Sequence, residues 1–270
     1  MLLVHLTDMH FGCADAEALR ATAKYIETRK PDVVVCTGDI SRDGRAIELV
    51  EACAWLRALP APVMITPGNH DVPYFNPWGR MFDPWGRFRK ASHGLQTGVW
   101  SRPGVHIVPI NTARGVQPRL NWAQGAISAA QVAQAAAELQ RAPPGALRII
   151  ATHHPLEWPN DAPIKGQTLR GPKAMHDLIA AGAELFLSGH LHFASARLIG
   201  TQALSITSGT LSKRVRHEPC AFTAIEQTES GVLQVEIVQI VRGVATAASK
   251  RAFTLRANPQ APAELHPASV

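Results

Sequence analysis

Apolar residues in this chain fall into short β-branched blocks, each ending in polar or glycine-containing residues. The blocks are LLVHLTD (2–8), DVVVCTGD (32–39), PVMITPGNHD (62–71), VHIVPIN (105–111), LRIIATHHP (147–155) and LFLSGHLH (185–192). Blocks this short, with little polar alternation and with turn residues at their ends, predict strands buried on both faces. Between them the pattern changes to a helical period. Helices are predicted over 15–30, with Leu19, Ala23 and Ile26 on one face, and over 44–59, with Ile47, Val50, Ala54 and Leu56 at mostly helical spacing. Two more are predicted over 128–142, opened by Ser128 as N-cap and stopped before Pro143-Pro144, and over 172–182, with proline in its first turn and Gly182 at its end. Strand and helix in alternation imply an α/β core with crossover connections.

Beyond His192 the texture changes. SARLIGTQALSITSG, AFTAIEQTESG and VLQVEIVQIV predict strands joined by glycine-containing turns with no helix between them. A second, antiparallel-rich sheet packed on the first accounts for them. The expected organisation is one domain over residues 1–256 and a Pro/Ala-rich C-terminal tail over 257–270.

Composition narrows the class. Hydrophobic residues make up 46% and charged residues 18%, which fits a folded globular protein rather than a disordered one. No apolar run approaches the length of a membrane span, and the opening MLLVHLTDMH lacks the basic and cleavage regions of a signal peptide. The four cysteines show no metal-type CxxC spacing, so reduced thiols in a cytoplasmic protein are expected, with no membrane partner. The net charge of +6 is compatible with an anionic partner, but no block of five like charges forms a nucleic-acid stripe. A nucleic-acid polymer is therefore disfavoured.

The strand ends carry the chemistry. Asp8-x-His10 follows the first strand, Gly38-Asp39 the second and Gly68-Asn69-His70-Asp71 the third; His153-His154-Pro155 and Gly189-His190-x-His192 follow later ones. In open α/β sheets, groups just beyond the carboxyl ends of strands converge in one crevice. Oxygen and imidazole donors without thiolates suit Fe, Mn, Zn or Ni. Seven such donors exceed the needs of one ion and suit two ions sharing a carboxylate. Each motif alone is commonplace; all five in order, each at a strand end, are hard to explain structurally.

This order of motifs resembles the calcineurin-like metallophosphoesterase superfamily over roughly residues 1–225. Within it, PGNHDVP and SGHLH are most similar to the bacterial class III cyclic-nucleotide phosphodiesterase branch. The resemblance implies a four-layer αββα sandwich of two mixed β-sheets flanked by helices, with two metal ions at the sheet edge. It also implies that Asp8, His10 and His192 hold one ion, that Asn69, His153 and His190 hold the other, and that Asp39 bridges them. His70 would stand beside the phosphoryl group as the catalytic acid, and His154 would support the centre or face substrate. The activity implied is hydrolysis of small phosphodiesters, 3′,5′-cyclic nucleotides among them, by a metal-bridging hydroxide. A nuclease, a phospholipid-type phosphoesterase and a non-catalytic metal-binding scaffold are the alternatives. One departure matters: where relatives often read G-D-x-x-D, this chain reads GDISRDG, so either Asp43 or Asp71 would have to orient His70.

Other residues have competing readings. His5, inside the first strand, is expected to be structural, and His93, His106, His176, His217 and His266, which lack motif context, to be surface or capping histidines. Arg170, in LRGP, is either a phosphate clamp or a solvated loop arginine. The doubled string FNPWGRMFDPWGRFRK (75–90) predicts two helix starts, Asn76-Pro77 and Asp83-Pro84, four residues after Asp71. Its aromatics would cover the core, form a homodimer interface, or build a rim of the active site. In that last case Trp78 or Phe82 would meet the substrate's leaving group, and Arg80 or Arg87 its phosphate.

Overall fold

A computed structural model describes residues 1–119 and 121–255. The twelve strands described begin with β1 (Leu2–Leu6), β2 (Val33–Cys36), β3 (Val63–Ile65), β4 (Trp100–Arg102), β5 (Val105–Ile110) and β6 (Leu147–Thr152). They continue with β7 (Leu185–Ser188), β8 (Ser195–Ile199), β9 (Ala203–Thr207), β10 (Ala221–Gln227), β11 (Leu233–Val241) and β12 (Val244–Phe253). Six helices accompany them: α1 (Ala16–Arg29), α2 (Ala46–Arg57), α3 (Pro77–Phe82), α4 (Gly86–Ala91), α5 (Ala129–Leu139) and α6 (Gly171–Ala180).

The strands form two six-stranded mixed sheets, ordered β12-β11-β10-β1-β2-β3 and β4-β5-β6-β7-β9-β8. β1, β2 and β3 run parallel in the first, and β5, β6, β7 and β9 run parallel in the second. Leu3, Val33, Val35 and Met64 from one sheet meet Ile107, Ile149, Leu187 and Ile206 from the other in a core between the sheets. Alternate residues Val4, Leu6, Val34 and Ile65 face outward and pack with Leu19, Ile26, Leu49 and Leu56 of α1 and α2. On the far side Val108, Ile110 and Ile150 pack with Leu139 of α5 and Leu178 of α6. Both faces of the central strands are covered, which explains their unbroken apolar runs. The result is the expected four-layer αββα arrangement.

Two expectations need correcting. The strands after His192 do not form a sheet of their own: β8 and β9 extend the second sheet, and β10–β12 extend the first through antiparallel β1–β10 pairing. Motif-bearing strands are thus divided between the sheets. A buried β-branched run looks the same in either. In α2, Ile47 and Val50 face solvent, and Leu49, Ala52, Cys53 and Leu56 form the buried face. Glu48 sets that rotation by turning inward to accept hydrogen bonds from the backbone N–H groups of Asp43 and Arg45.

Helix ends otherwise follow their caps. Asp15 accepts from Ala18 N at the start of α1, and Ser128 with Gln131 forms a capping box on α5. Asn76 caps α3 with Pro77 at its first position, but the second turn starts later than expected, at Gly86, because Asp83 closes α3. No helix among the described residues is long and apolar enough to cross a membrane. The expected tail, 257–270, lies outside the described residues.

Candidate active site

The carboxyl ends of β1, β2 and β3 and those of β6 and β7 open at one edge, where the loops bind one another through their backbones. Asp8 N donates to Gly38 O (3.0 Å), His10 N to Asp39 O (2.9 Å) and Gly189 N to His153 O (2.8 Å). Glycine is required where these loops touch. A Cβ on Gly68 would stand 2.2 Å from Asp39 Oδ1, and one on Gly189 would stand 1.9 Å from Thr7 Oγ1. Asp8, His10, Asp39, His190 and His192 all have left-handed φ, between 44° and 69°. Such backbone is costly for non-glycine residues and persists where surrounding bonds enforce it.

Each aspartate has one oxygen tied down and one left over. Asp8 Oδ2 accepts from Thr7 Oγ1 and from His190 N across the sheet boundary, both at 2.8 Å. Its Oδ1 is buried without a hydrogen-bond partner. That oxygen lies 3.1 Å from His192 Nε2 and 3.6 Å from His10 Nε2, and the two Nε2 atoms stand 3.1 Å apart. Asp39 Oδ1 accepts from His70 N (2.7 Å). Its Oδ2 lies 3.3 Å from His153 Nε2 and 3.9 Å from His10 Nε2, between the two groups. Asn69 Oδ1 lies 3.1 Å from the same His153 nitrogen.

The other nitrogen of each ring decides what these contacts mean. Nδ1 of His10, His153 and His192 faces a carbonyl oxygen, of Ser41 (3.3 Å), Thr37 (2.8 Å) and Arg214 (2.7 Å). A carbonyl only accepts, so each Nδ1 carries a proton, and each ring, when neutral, presents a lone pair at Nε2. Lone pairs of His10 and His192 therefore meet head-on beside a bare carboxylate oxygen, and His153 meets Asn69 and Asp39 in the same way. Such groups repel unless a proton or a metal ion lies among them, and neutral imidazole with carboxylate and amide oxygens is a donor set that fits metal ions of the borderline class. The titration behaviour agrees. Burial disfavours protonation of His153, but the Asp39 carboxylate outweighs it and pushes the pKa up to about 9. Positive charge is in demand there. Burial, helped by the charge of His153, drives His190 down to about 3 and so keeps it neutral, as a ligand must be. The ring of His190 lies 5.3 Å from that of His153.

His154 is close to both of these rings, but its own nitrogens are spent: Nδ1 on Thr112 Oγ1 and Nε2 on Ala123 O, both 2.9 Å away. It supports the wall of the site, with its pKa held well below the usual range by burial. His70 is half-buried at the mouth. Its Nδ1 donates to Arg42 O (2.6 Å), leaving Nε2 to accept from Arg214 Nη1 (3.1 Å). Neither expected carboxylate orients it. Asp43 pairs with Arg42 and Arg45. Asp71 accepts from Ser41 N, Ser41 Oγ and Gly68 N, stapling two loops together. The carbonyl of Arg42, at the last position of the GDISR string, is what holds the His70 ring.

Beside Asn69 and His70 opens a cavity of about 490 Å3, lined also by Tyr74, Arg80, Met81, Asn121 and Trp122. Arg80 is buried in its wall. Trp78 is 72% exposed and stacks on Phe82, with ring centroids 5.8 Å apart; neither is among the lining residues. Arg87 donates to Gly44 O, and Arg170 is an exposed, left-handed N-cap of α6. Sequence reasoning missed Arg214, Tyr74 and Trp122. The string SKRVRH gives no motif for Arg214; only the return of the chain after β9 brings it to His70.

Residues 1–194 match the family description "Calcineurin-like phosphoesterase". A probable cyclic nucleotide phosphodiesterase of Synechococcus sp. is 28% identical over a stretch covering 26% of this chain and 31% of that protein. A glycerophosphodiester phosphodiesterase of Enterobacter lignolyticus is 39% identical over 26% of this chain and 30% of its own length. The chain thus spans about a third of these relatives. A dimetal phosphatase from Danio rerio shares the fold with a TM-score of 0.70 at 15% identity, covering 95% of this chain and 99% of the other. With the five strand-end motifs gathered at one edge and the family match spanning most of the chain, the protein belongs to the calcineurin-like phosphoesterase family.

Proposed function

We propose that this protein is a metal-dependent phosphodiesterase acting on small phosphodiesters, with Asp8, His10 and His192 holding one ion, Asn69, His153 and His190 a second, and Asp39 shared. The observation that carries the reading is the convergence of Nε2 lone pairs on the free oxygens of Asp8 and Asp39. Ions bound there supply positive charge against the phosphate oxygens and make water acidic enough to attack near neutral pH. The chain's own groups do the rest. Arg214 Nη1 transfers its hydrogen bond from His70 to a phosphoryl oxygen. His70, fixed by the Arg42 carbonyl, presents Nε2 to the leaving side. Once Arg214 has let go, Nε2 is free to take up a proton from water, and as water adds to phosphorus and the P–O ester bond breaks, the leaving oxygen takes that proton. The adjoining cavity, about 490 Å3, suits a small diester such as a cyclic nucleotide or a glycerophosphodiester better than duplex DNA.

The test is a panel of bis-p-nitrophenyl phosphate, 3′,5′-cyclic AMP, glycerophosphodiesters and single-stranded DNA with added Mn²⁺. Turnover of the small diesters, abolished by Asn69→Ala, is the expected result. A metal-loaded protein that turns over none of them would leave the scaffold reading in its place.

A further inference from the structure

The cavity beside His70 contains a cation that the proposed hydrolysis does not use. Arg80, in the first short helix after the GNHD loop, is 8% exposed. Its guanidinium carbon lies 5.3 Å from the ring centre of Tyr74 and 5.2 Å from that of Trp122, so two aromatic faces hold it. Nε donates to Gly115 O (2.6 Å). Among the described residues the two terminal nitrogens, with four N–H donors between them, have no hydrogen-bond or carboxylate partner, and no acidic residue lines the cavity. Burial even pushes the pKa of the group down, though the charge remains. A buried guanidinium without a counter-ion is costly, and here the vacant donors belong to a side chain that lines the cavity. The wall is continuous with the active site: Tyr74 also stacks on His70, with centroids 6.0 Å apart and planes inclined by 13°.

We propose that Arg80 is a specificity subsite for a second anionic group, a carboxylate or a terminal phosphate, on the part of the substrate beyond the scissile phosphodiester. This rests on the phosphodiesterase reading above and narrows its substrate class. A guanidinium fork matches paired anionic oxygens, and its two aromatic neighbours hold it ready without competing for its donors. Tyr74 and Trp122 lie over its faces, which leaves its edge for the anion. A cyclic nucleotide carries only its one scissile charge and would leave Arg80 without its counter-ion. A diester with an anionic head group satisfies both ends of the cavity.

The experiment compares kcat/KM for glycerophosphoserine, whose head group carries a carboxylate, with that for glycerophosphocholine, in the metal-loaded full chain. Wild type should prefer the serine diester by about tenfold or more, mainly through KM. In Arg80→Met, which keeps the length of the side chain and removes its charge, the ratio should collapse toward one. Arg80→Lys, which keeps charge and packing but loses the fork, should give an intermediate ratio and covers the case in which Arg80→Met does not fold. Titration calorimetry with O-phosphoserine and phosphocholine reads the same discrimination without turnover. No wild-type preference for the anionic head group in either assay overturns the proposal, as does a variant that loses rate on both substrates with the ratio preserved. Failure of wild type to hydrolyse any diester sinks the broader reading instead, and the calorimetric discrimination then decides the Arg80 subsite by itself.

Discussion

The strand-end cleft and the aromatic segment beside it lie next to each other and are built on opposite principles. In the cleft, Asp8, Asp39, His153 and His192 are buried, and each has one polar atom bound to another loop and one aimed inward. In the segment from Tyr74 to Phe82, Phe75, Trp78 and Phe82 are each more than 70% exposed, and short helical turns hold them. The cleft spends strained backbone and glycine contacts on fixing its donors in place. The aromatic segment fixes one side chain, Arg80, and leaves its neighbours loosely covered. Chemistry common to a family needs the first kind of construction, whereas preference for one substrate needs only the second.

The strongest challenge to this contrast is Asp39→Asn, which removes the carboxylate facing both donor groups. Turnover should fall by about a thousandfold or more, with bound metal measured by atomic emission falling too. Intact metal content would break the assignment of Asp39 as the shared ligand. Chelation is next. Stripping the metals should lower the thermal midpoint by roughly 5–15 °C, because the strained, mutually repelling donors lose their cation. Hydrogen exchange at the strand-end loops should rise while that of 74–90 stays nearly constant; a rise confined to 74–90 would reverse the comparison.

Acid tests the buried side of the cleft. His5, on β1, has Nε2 on Thr37 Oγ1 and a buried, unpartnered Nδ1. Burial lowers its pKa from 6.5 to about 3. The unfolded chain takes up the proton near 6.5 and the folded protein only near 3, so stability is intact above 6.5 and is lost progressively as pH falls between the two. By pH 4.5 this site accounts for about 2–3 kcal/mol. His5→Asn should flatten the slope of stability against pH across that window, read by urea denaturation at several pH values. An unchanged slope would show that His5 is not the group responsible.

Smaller effects sharpen the picture. Arg214→Gln should lower kcat about 10- to 100-fold with metal content unchanged, because His192 is held by the backbone of residue 214 and not by its side chain. Loss of metal in that variant would contradict the division of labour. Smallest of all, Trp78→Ala should change stability by no more than about 0.5 kcal/mol and leave the preference between anionic and cationic head groups in place. A shift in that preference would bring the exposed aromatics into the substrate path after all.

Much of this was legible in the chain. Short β-branched runs ending in glycine and histidine locate the strands and the edge at which they open, since both follow from local preference and burial. The division of β5–β7 from β1–β3 was not legible, because Ile149 and Val35 bury the same kind of surface whichever sheet they join. The C-terminal strands split for the same reason. Ile47 and Val50 looked like a buried face until Glu48 turned the helix. Arg214 and the carbonyl of Arg42 escaped notice for another reason: one arrives by a long return of the chain, and the other is a main-chain atom that no motif spells.

That last point extends beyond one residue. His10, His70, His153 and His192 are all steered by main-chain oxygens, of Ser41, Arg42, Thr37 and Arg214. Any amino acid at those four positions brings the same oxygen. A lineage can therefore change side chains around the centre, that of Arg42 among them, while the imidazoles keep their tautomers and their aim. Such a scaffold can wander among substrates without first rebuilding its hydrolytic apparatus.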